Sequence, residues 1–386
     1  MSHAILSPSG ASRWLNCTPS ARFEQNFPDS SGEAAKEGTL AHELGETILR
    51  HQFGQIINEQ ADETISRIEL DPRYTPDMMD HAVNYAHFVI ETFNNAQRQT
   101  KDAVIQIEAS LNLTDYVPEG FGTGDAVIIA DGNMGIIDLK YGKGVMVSCE
   151  NNKQMMLYAL GALREYDYMY DIQNVRMWIY QPRMDNISSF EMSVADLQAW
   201  AENELKPLAQ LAFDGQGEFK VGDHCRFCRA KSQCKANAGE NLKLAQYDFA
   251  ESVLLTDAEI SDILSRASAF KTWLTSIEEM ALTEATENGK QWPGFKLVEG
   301  RSNRIYSDED KVAKELVKNG FNEDQIYTKK ILGITAMEKT ITKKIFESLL
   351  SDLIIKPQGK PTLVPESDKR VAWNSTESAK NDFSNN

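Results

Sequence analysis

The stretch GTGDAVIIADGNMGIIDLKYG, residues 122–142, decides how the rest of the chain is read. Two apolar runs flank Asp131-Gly132-Asn133, and an Asp-Gly turn between apolar runs predicts a β-hairpin. Asp138 and Lys140 lie two apart on the second strand. Side chains two apart on a strand share a face, so a carboxylate and an ammonium project together while Leu139 points into the core. Asp125 follows Gly124 on the first strand, and strand pairing brings it close to Asp138. Two carboxylates at that range repel unless a cation sits between them. An oxygen-rich site of this kind suits Mg²⁺ or Mn²⁺.

Upstream, AVIQIEASLNL alternates apolar and polar residues and predicts a strand over Val104–Leu111 with one wet face. Farther upstream, Ala41, Leu44, Ile48 and Leu49 predict a helix over about 33–53, and Met79, Val83, Ala86 and Ile90 another over about 76–98. Downstream, NNKQMMLYALGALREY predicts a helix, and VRMWIYQPR a short buried strand closed by Pro182. The order helix, three strands, helix, strand indicates an α/β core with a mixed sheet and helices packed on it. The opening SGASRWLNCTPSARFEQNFP reads as a turn-rich loop anchored by Trp14 and Leu15. From about Val194 the pattern is helical, then comes HCRFCRAKSQCKA, then a helical, charged stretch to about Asn288 and a mixed tail. The expected domains are 1–240 for the core with its cysteines, 241–372 for a mainly helical C-terminal domain, and 373–386 for a disordered tail.

Hydrolysis of a phosphodiester needs a nucleophilic water, an in-line approach and relief of charge on the phosphoryl oxygens. A metal held by Asp125 and Asp138 can serve the first two and share in the third. Lys140 can orient the attacking water or offset developing charge. Gln154 and Tyr158 stand four apart on the following helix, hence on one face, and can position the lysine, the water or the DNA backbone. A lone Asp-x-Lys on a strand is commonly a solvated surface pair. The hairpin, the acid before it and the Gln-x-x-x-Tyr helix after it make chance the poorer account.

The five cysteines are Cys17, Cys149, Cys225, Cys228 and Cys234. An odd count disfavours a disulfide framework. Three crowd into ten residues with Arg226, Arg229, Lys231 and Lys235 among them, a basic setting expected to lower thiol pKa. Three thiolates want a fourth ligand. Cys17 is the natural candidate and His224 an awkward one, because it adjoins Cys225. A four-cysteine site suits Zn²⁺ as well as an iron–sulfur cluster. Cys149 reads as a buried small residue.

GTGDAVI, IIDLKYG and QMMLYALG resemble motifs of the PD-(D/E)XK nucleases, in particular the RecB-like branch. That resemblance implies a restriction-endonuclease-like α/β core. It implies Asp125 and Asp138 as the acid pair, Lys140 as the lysine, Gln154 and Tyr158 as the helix motif, and His42 as an added metal ligand. The second acid is Asp138 where many relatives carry glutamate, which alters reach rather than chemistry. One cysteine before the core and three after it resemble the iron–sulfur nucleases, implying a [4Fe-4S] cluster on Cys17, Cys225, Cys228 and Cys234. The whole chain is similar to an uncharacterised phage and prophage family of RecB-like proteins. That likeness implies DNA as substrate, end processing in recombination or replication, and a phage single-strand annealing or single-strand-binding protein as partner. Lys329, Lys330, Lys339, Lys343 and Lys344 are candidate DNA contacts or a solvated helical face.

The net charge of −17 argues against nonspecific coating of nucleic acid, which rests on phosphate neutralisation. No apolar run approaches the ~20 residues that cross a bilayer, so no membrane association is expected. MSHAILSPSG lacks the basic and apolar regions of a secretory signal, so cytoplasmic residence is the expectation, in the host cell if the chain is phage-encoded.

Overall fold

The computed structural model describes residues 4–28, 32–243, 256–298 and 308–319, and short pieces of 322–354. The chain divides into two compact units, Met1–Asn288 and Gly289–Asn386. This boundary differs from the sequence-based one at 240. The long helix after the cysteines packs on the segments before it, so it belongs with the first unit. Lys329, Lys330, Lys339 and the tail 373–386 lie outside the described residues.

The first unit is built on a five-stranded mixed sheet: β1 (Val104–Asn112), β2 (Phe121–Ala130), β3 (Gly132–Leu139), β4 (Ile172–Gln181) and β5 (Asn186–Ser193). The strands lie side by side in chain order; β3 and β4 are parallel and every other pair antiparallel. The hairpin closes with Ala130 opposite Asn133, and Gly132 takes φ +80°, the left-handed geometry that an Asp-Gly turn supplies at low steric cost. The parallel step from β3 to β4 crosses through α6 (Lys153–Tyr166), capped by the Asn152 side chain, which accepts from the backbone amides of Gln154 and Met155.

Helices cover both faces. α3 (Glu33–Gln52), α4 (Asn58–Glu69) and α5 (Pro76–Gln99) bury Leu44, Leu49, Tyr85 and Val89 on one side, against Ile128 and Ile137. On the other, α6 joins the N-terminal helices α1 (Ala11–Asn16) and α2 (Ser20–Phe23) and the run α7 (Val194–Trp200) to α8 (Lys206–Asp214). The expected N-terminal loop is thus mostly helical; Trp14 is buried there and donates its indole N–H to the Ser7 carbonyl at 3.0 Å. Gly161 lets α6 approach β1, since a Cβ there would meet Leu111 Cβ at 2.8 Å. Beyond the cysteines come α9 (Lys235–Leu242) and α10 (Asp257–Glu287), with a capping box between Thr256 and Glu259. The second unit contributes α11 (Glu309–Lys318) and α12 (Lys343–Leu350).

Candidate functional site

β3 runs buried through the centre of the sheet and ends at Leu139, beside the C-terminal end of its parallel neighbour β4. Ligand sites in such sheets gather at the carboxyl ends of parallel strands. Asp138 is 2% exposed, and Lys140 Nζ approaches its Oδ2 to 2.9 Å. Lys140 Nζ also donates to Gln154 Oε1 at 2.9 Å. The Gln154 amide donates one way to Asp138 Oδ1 (3.2 Å) and the other way to the Tyr158 hydroxyl (2.9 Å). Asp138, Lys140, Gln154 and Tyr158 therefore form one connected polar chain between the sheet and α6. Burial, then Asp125, raise the Asp138 carboxyl against the opposing pull of Lys140. Burial and the two nearby aspartates push the Tyr158 phenol far up, so it stays protonated.

Asp125 looks the other way, towards α3. Its Oδ2 accepts from the Leu139 amide at 2.7 Å and lies 3.3 Å from His42 Nδ1. Burial alone would lower the His42 pKa, but the charge and hydrogen bond of Asp125 carry it up to about 9. Asp125 is lowered despite burial, chiefly by His42.

Glu108 completes the group. On β1 and β2 the pairs Ile107–Ala126 and Ala109–Gly124 leave Glu108 opposite Asp125. Glu108 holds φ +52°, and the chain changes faces there: Ile107 packs with the α5 side and Ala109 with the α6 side. Residues two apart on a regular strand would share a face. The left-handed residue breaks that rule at a cost of order 1–3 kcal/mol, the kind of strain found at functional sites. Ligand atoms of His42, Glu108 and Asp125 all lie within 4.8 Å of one another. Burial, with Asp125 and Glu46, raises Glu108 to about 7. The same small cavity is lined by Tyr85, whose buried hydroxyl has no hydrogen-bond partner among the described residues.

Two carboxylates and one imidazole gathered this closely could hold a metal ion. The polar chain places Asp138 next to the cluster, coupled electrostatically to Asp125 and His42.

The four distant cysteines also meet. Cys17, Cys225, Cys228 and Cys234 line one recess with His224, Lys231 and Phe219. His224 hydrogen-bonds Cys17, which raises its pKa. The N-terminal helices are tied to this region: Thr18 Oγ1 donates to the Gln216 carbonyl (2.6 Å), Arg22 Nε to the Phe213 carbonyl (2.5 Å), and the Arg229 amide to Glu24 Oε1 (2.7 Å). The basic setting does not lower the Cys228 thiol as the sequence suggests. Burial and the Glu24 carboxylate push it up to about 12. Arg226 and Lys235 are exposed, where solvent screens them. Cys149 is fully buried, its thiol likewise pushed up to about 12 by burial.

A family model described as "Protein of unknown function (DUF2800)" matches residues 3–371. The chain belongs to that family. A solved structure titled "Crystal structure of SSO0001" aligns at 14% identity over 59% of this chain and 97% of that one, with a TM-score of 0.22, too low to bear on fold or function. Among the described residues of this DUF2800 chain, no helix is long and apolar enough to cross a membrane.

Glu108 and Tyr85 are the site residues that the pattern of the DUF2800 chain hides. Glu108 occupies a wet position in an ordinary alternation, and only the φ reversal turns it towards His42. A faint signal exists in Gly122 and Gly124, which free β2 to pass close to α6 and β1: a Cβ at Gly122 would meet Tyr158 Cε1 at 3.3 Å, and one at Gly124 would meet Leu111 Cδ1 at 3.2 Å.

Proposed function

We propose that this chain is a Mg²⁺- or Mn²⁺-dependent deoxyribonuclease of the RecB-like PD-(D/E)XK type, acting on DNA ends. One observation carries the reading: His42, Glu108 and Asp125 converge on one side of the β3 terminus while Asp138, Lys140, Gln154 and Tyr158 form a hydrogen-bonded chain on the other. The three converging groups would hold the divalent ion, with Asp138 beside them. Such an ion lowers the pKa of water and draws charge from a phosphoryl oxygen. Lys140, fixed by Asp138 and Gln154, presents an ammonium that can orient the attacking water and offset charge developing on the phosphate. Gln154 spends both amide hydrogens on Asp138 and Tyr158, so its carbonyl is left aimed at the lysine. Asp138 and Tyr158 are buried between the sheet and α6, which strengthens the interactions they make.

For the cysteine recess we infer a [4Fe-4S] cluster on Cys17, Cys225, Cys228 and Cys234. All four thiols line one recess, and four cysteine thiolates are the ligand set that holds such a cluster. The deciding experiment is a degradation assay on end-labelled linear and on circular DNA, single- and double-stranded, across a Mg²⁺ and Mn²⁺ titration. Metal-dependent loss of the linear substrates with circles spared is the expected result. No degradation of any substrate at any metal concentration would refute the reading.

A further inference from the structure

Between Cys225 and Cys228 the chain presents the ring of Phe227, 60% exposed. A single exposed apolar residue is ordinary on a protein surface. This one stands on a tight loop, held by Cys225 N–H to the Gly222 carbonyl (2.9 Å) and Cys228 N–H to the Cys225 carbonyl (3.1 Å). With Ser12, Asn16, Lys220, Val221 and His224 it lines a groove of about 900 Å³, open mouth included, in which Asp223 is the one carboxylate. The Arg226 guanidinium sits 5.7 Å from its ring centroid. Lys220 and Arg226 are both exposed, and among the described residues neither is in an ion pair. In a chain of net charge −17, two such cations beside a presented ring are a local exception.

Exposed ring, open groove and unneutralised cations are the parts of a single-strand platform. Bases stack on an aromatic face whatever their identity, while Lys and Arg follow the backbone. In a duplex, the bases are already stacked within the helix and do not reach such a ring. We propose that this groove seats an unpaired nucleotide of single-stranded DNA, its base against Phe227 and its phosphate against Lys220 and Arg226. The choice of DNA rests on the deoxyribonuclease reading; the choice of single strand comes from the groove itself.

The test is fluorescence anisotropy of a labelled oligothymidylate and of a blunt duplex, in EDTA so that nothing is cut and at fixed low salt. F227A weakens single-strand binding by roughly tenfold, the scale of one lost base stack, and leaves duplex binding unchanged, while F227W restores it. Unchanged metal content and visible absorption in F227A show that the cysteine loop is intact. Wild-type oligothymidylate affinity in F227A overturns the proposal, as does an equal loss on the duplex. A chain that binds single strands through Phe227 but degrades no DNA keeps this inference and sinks the nuclease reading. A chain whose degradation depends on Asp138 while F227A binds normally does the reverse.

Discussion

The sheet site and the cysteine recess are assembled in opposite ways. At the sheet, ladder pairing and one helix bring the groups together from neighbouring strands, and Asp138, Lys140, Gln154 and Tyr158 bond to one another without outside help. At the recess, segments some two hundred positions apart face each other across a space, and the thiols have no such mutual network. The contrast teaches that the first region owes its geometry to ladder pairing, whereas the second is tied together around its thiols by the hydrogen bonds of Thr18, Arg22 and Glu24. Chemistry and stability should therefore come apart under mutation.

The largest expected effect is on chemistry alone. Lys140→Ala or Asp138→Ala should lower DNA degradation by about a thousandfold or more, in the range that loss of an electrostatic or acid–base group costs. Far-UV circular dichroism should remain that of the parent. Full activity in either variant would break the assignment of the site. Next comes the recess. Cys228→Ser should abolish the broad visible absorption and lower Tm by about 10 °C, because a metal that staples a long loop contributes several kcal/mol to folding. A colourless parent protein with stoichiometric zinc would replace the cluster, though not the stapling argument.

A subtler effect should be read in the metal dependence. Protons on Glu108, raised to about 7, and His42, raised to about 9, compete with a cation for the same atoms. The half-saturating Mg²⁺ concentration should thus fall as pH rises from about 6 through 9. Glu108→Gln should raise that concentration roughly tenfold and erase the lower step while sparing the upper one. An unchanged metal profile would remove Glu108 from the site. Smallest is Gly161→Ala. Helix propensity favours alanine by about 1 kcal/mol, but overpacking against Leu111 costs about 1–3, so Tm should drop by a few degrees with activity intact at low temperature.

The hairpin, its two flanking helices and the α6 crossover were legible because each carries a strong local signal: an Asp-Gly turn, heptad-like apolar spacing, or a long apolar run. Three helices match their expected spans within a residue or two at most ends, α3, α5 and α6. β5 was not legible. NISSFEMS is an edge strand whose less exposed face carries Asn186 and Ser188 beside Phe190 and Met192, while Ile187 sits on the exposed face, so no hydrophobic contrast marks it. α4 is polar outside Ala61, Ile65 and Ile68, too sparse a stripe to stand out. At the site, the pairing of Asp138 with Lys140 follows from strand alternation, while Asp125 turns towards His42 instead. Glu108 does not, because its role depends on a local violation of that alternation. The meeting of Cys17 with the C-terminal cysteines could be expected from thiol chemistry and resemblance, but no residue near Cys17 announces the hydrogen bonds that hold it there.

Those bonds have a consequence for the order of assembly. Thr18, Arg22 and Glu24 all bind backbone between Phe213 and Arg229, so their partners are made by the ribosome after all five strands. All five strands leave the exit tunnel before these three hydrogen bonds can form. An elongating chain should thus carry a paired sheet with its leading segment not yet locked, and lock that segment only as the cysteine loop emerges.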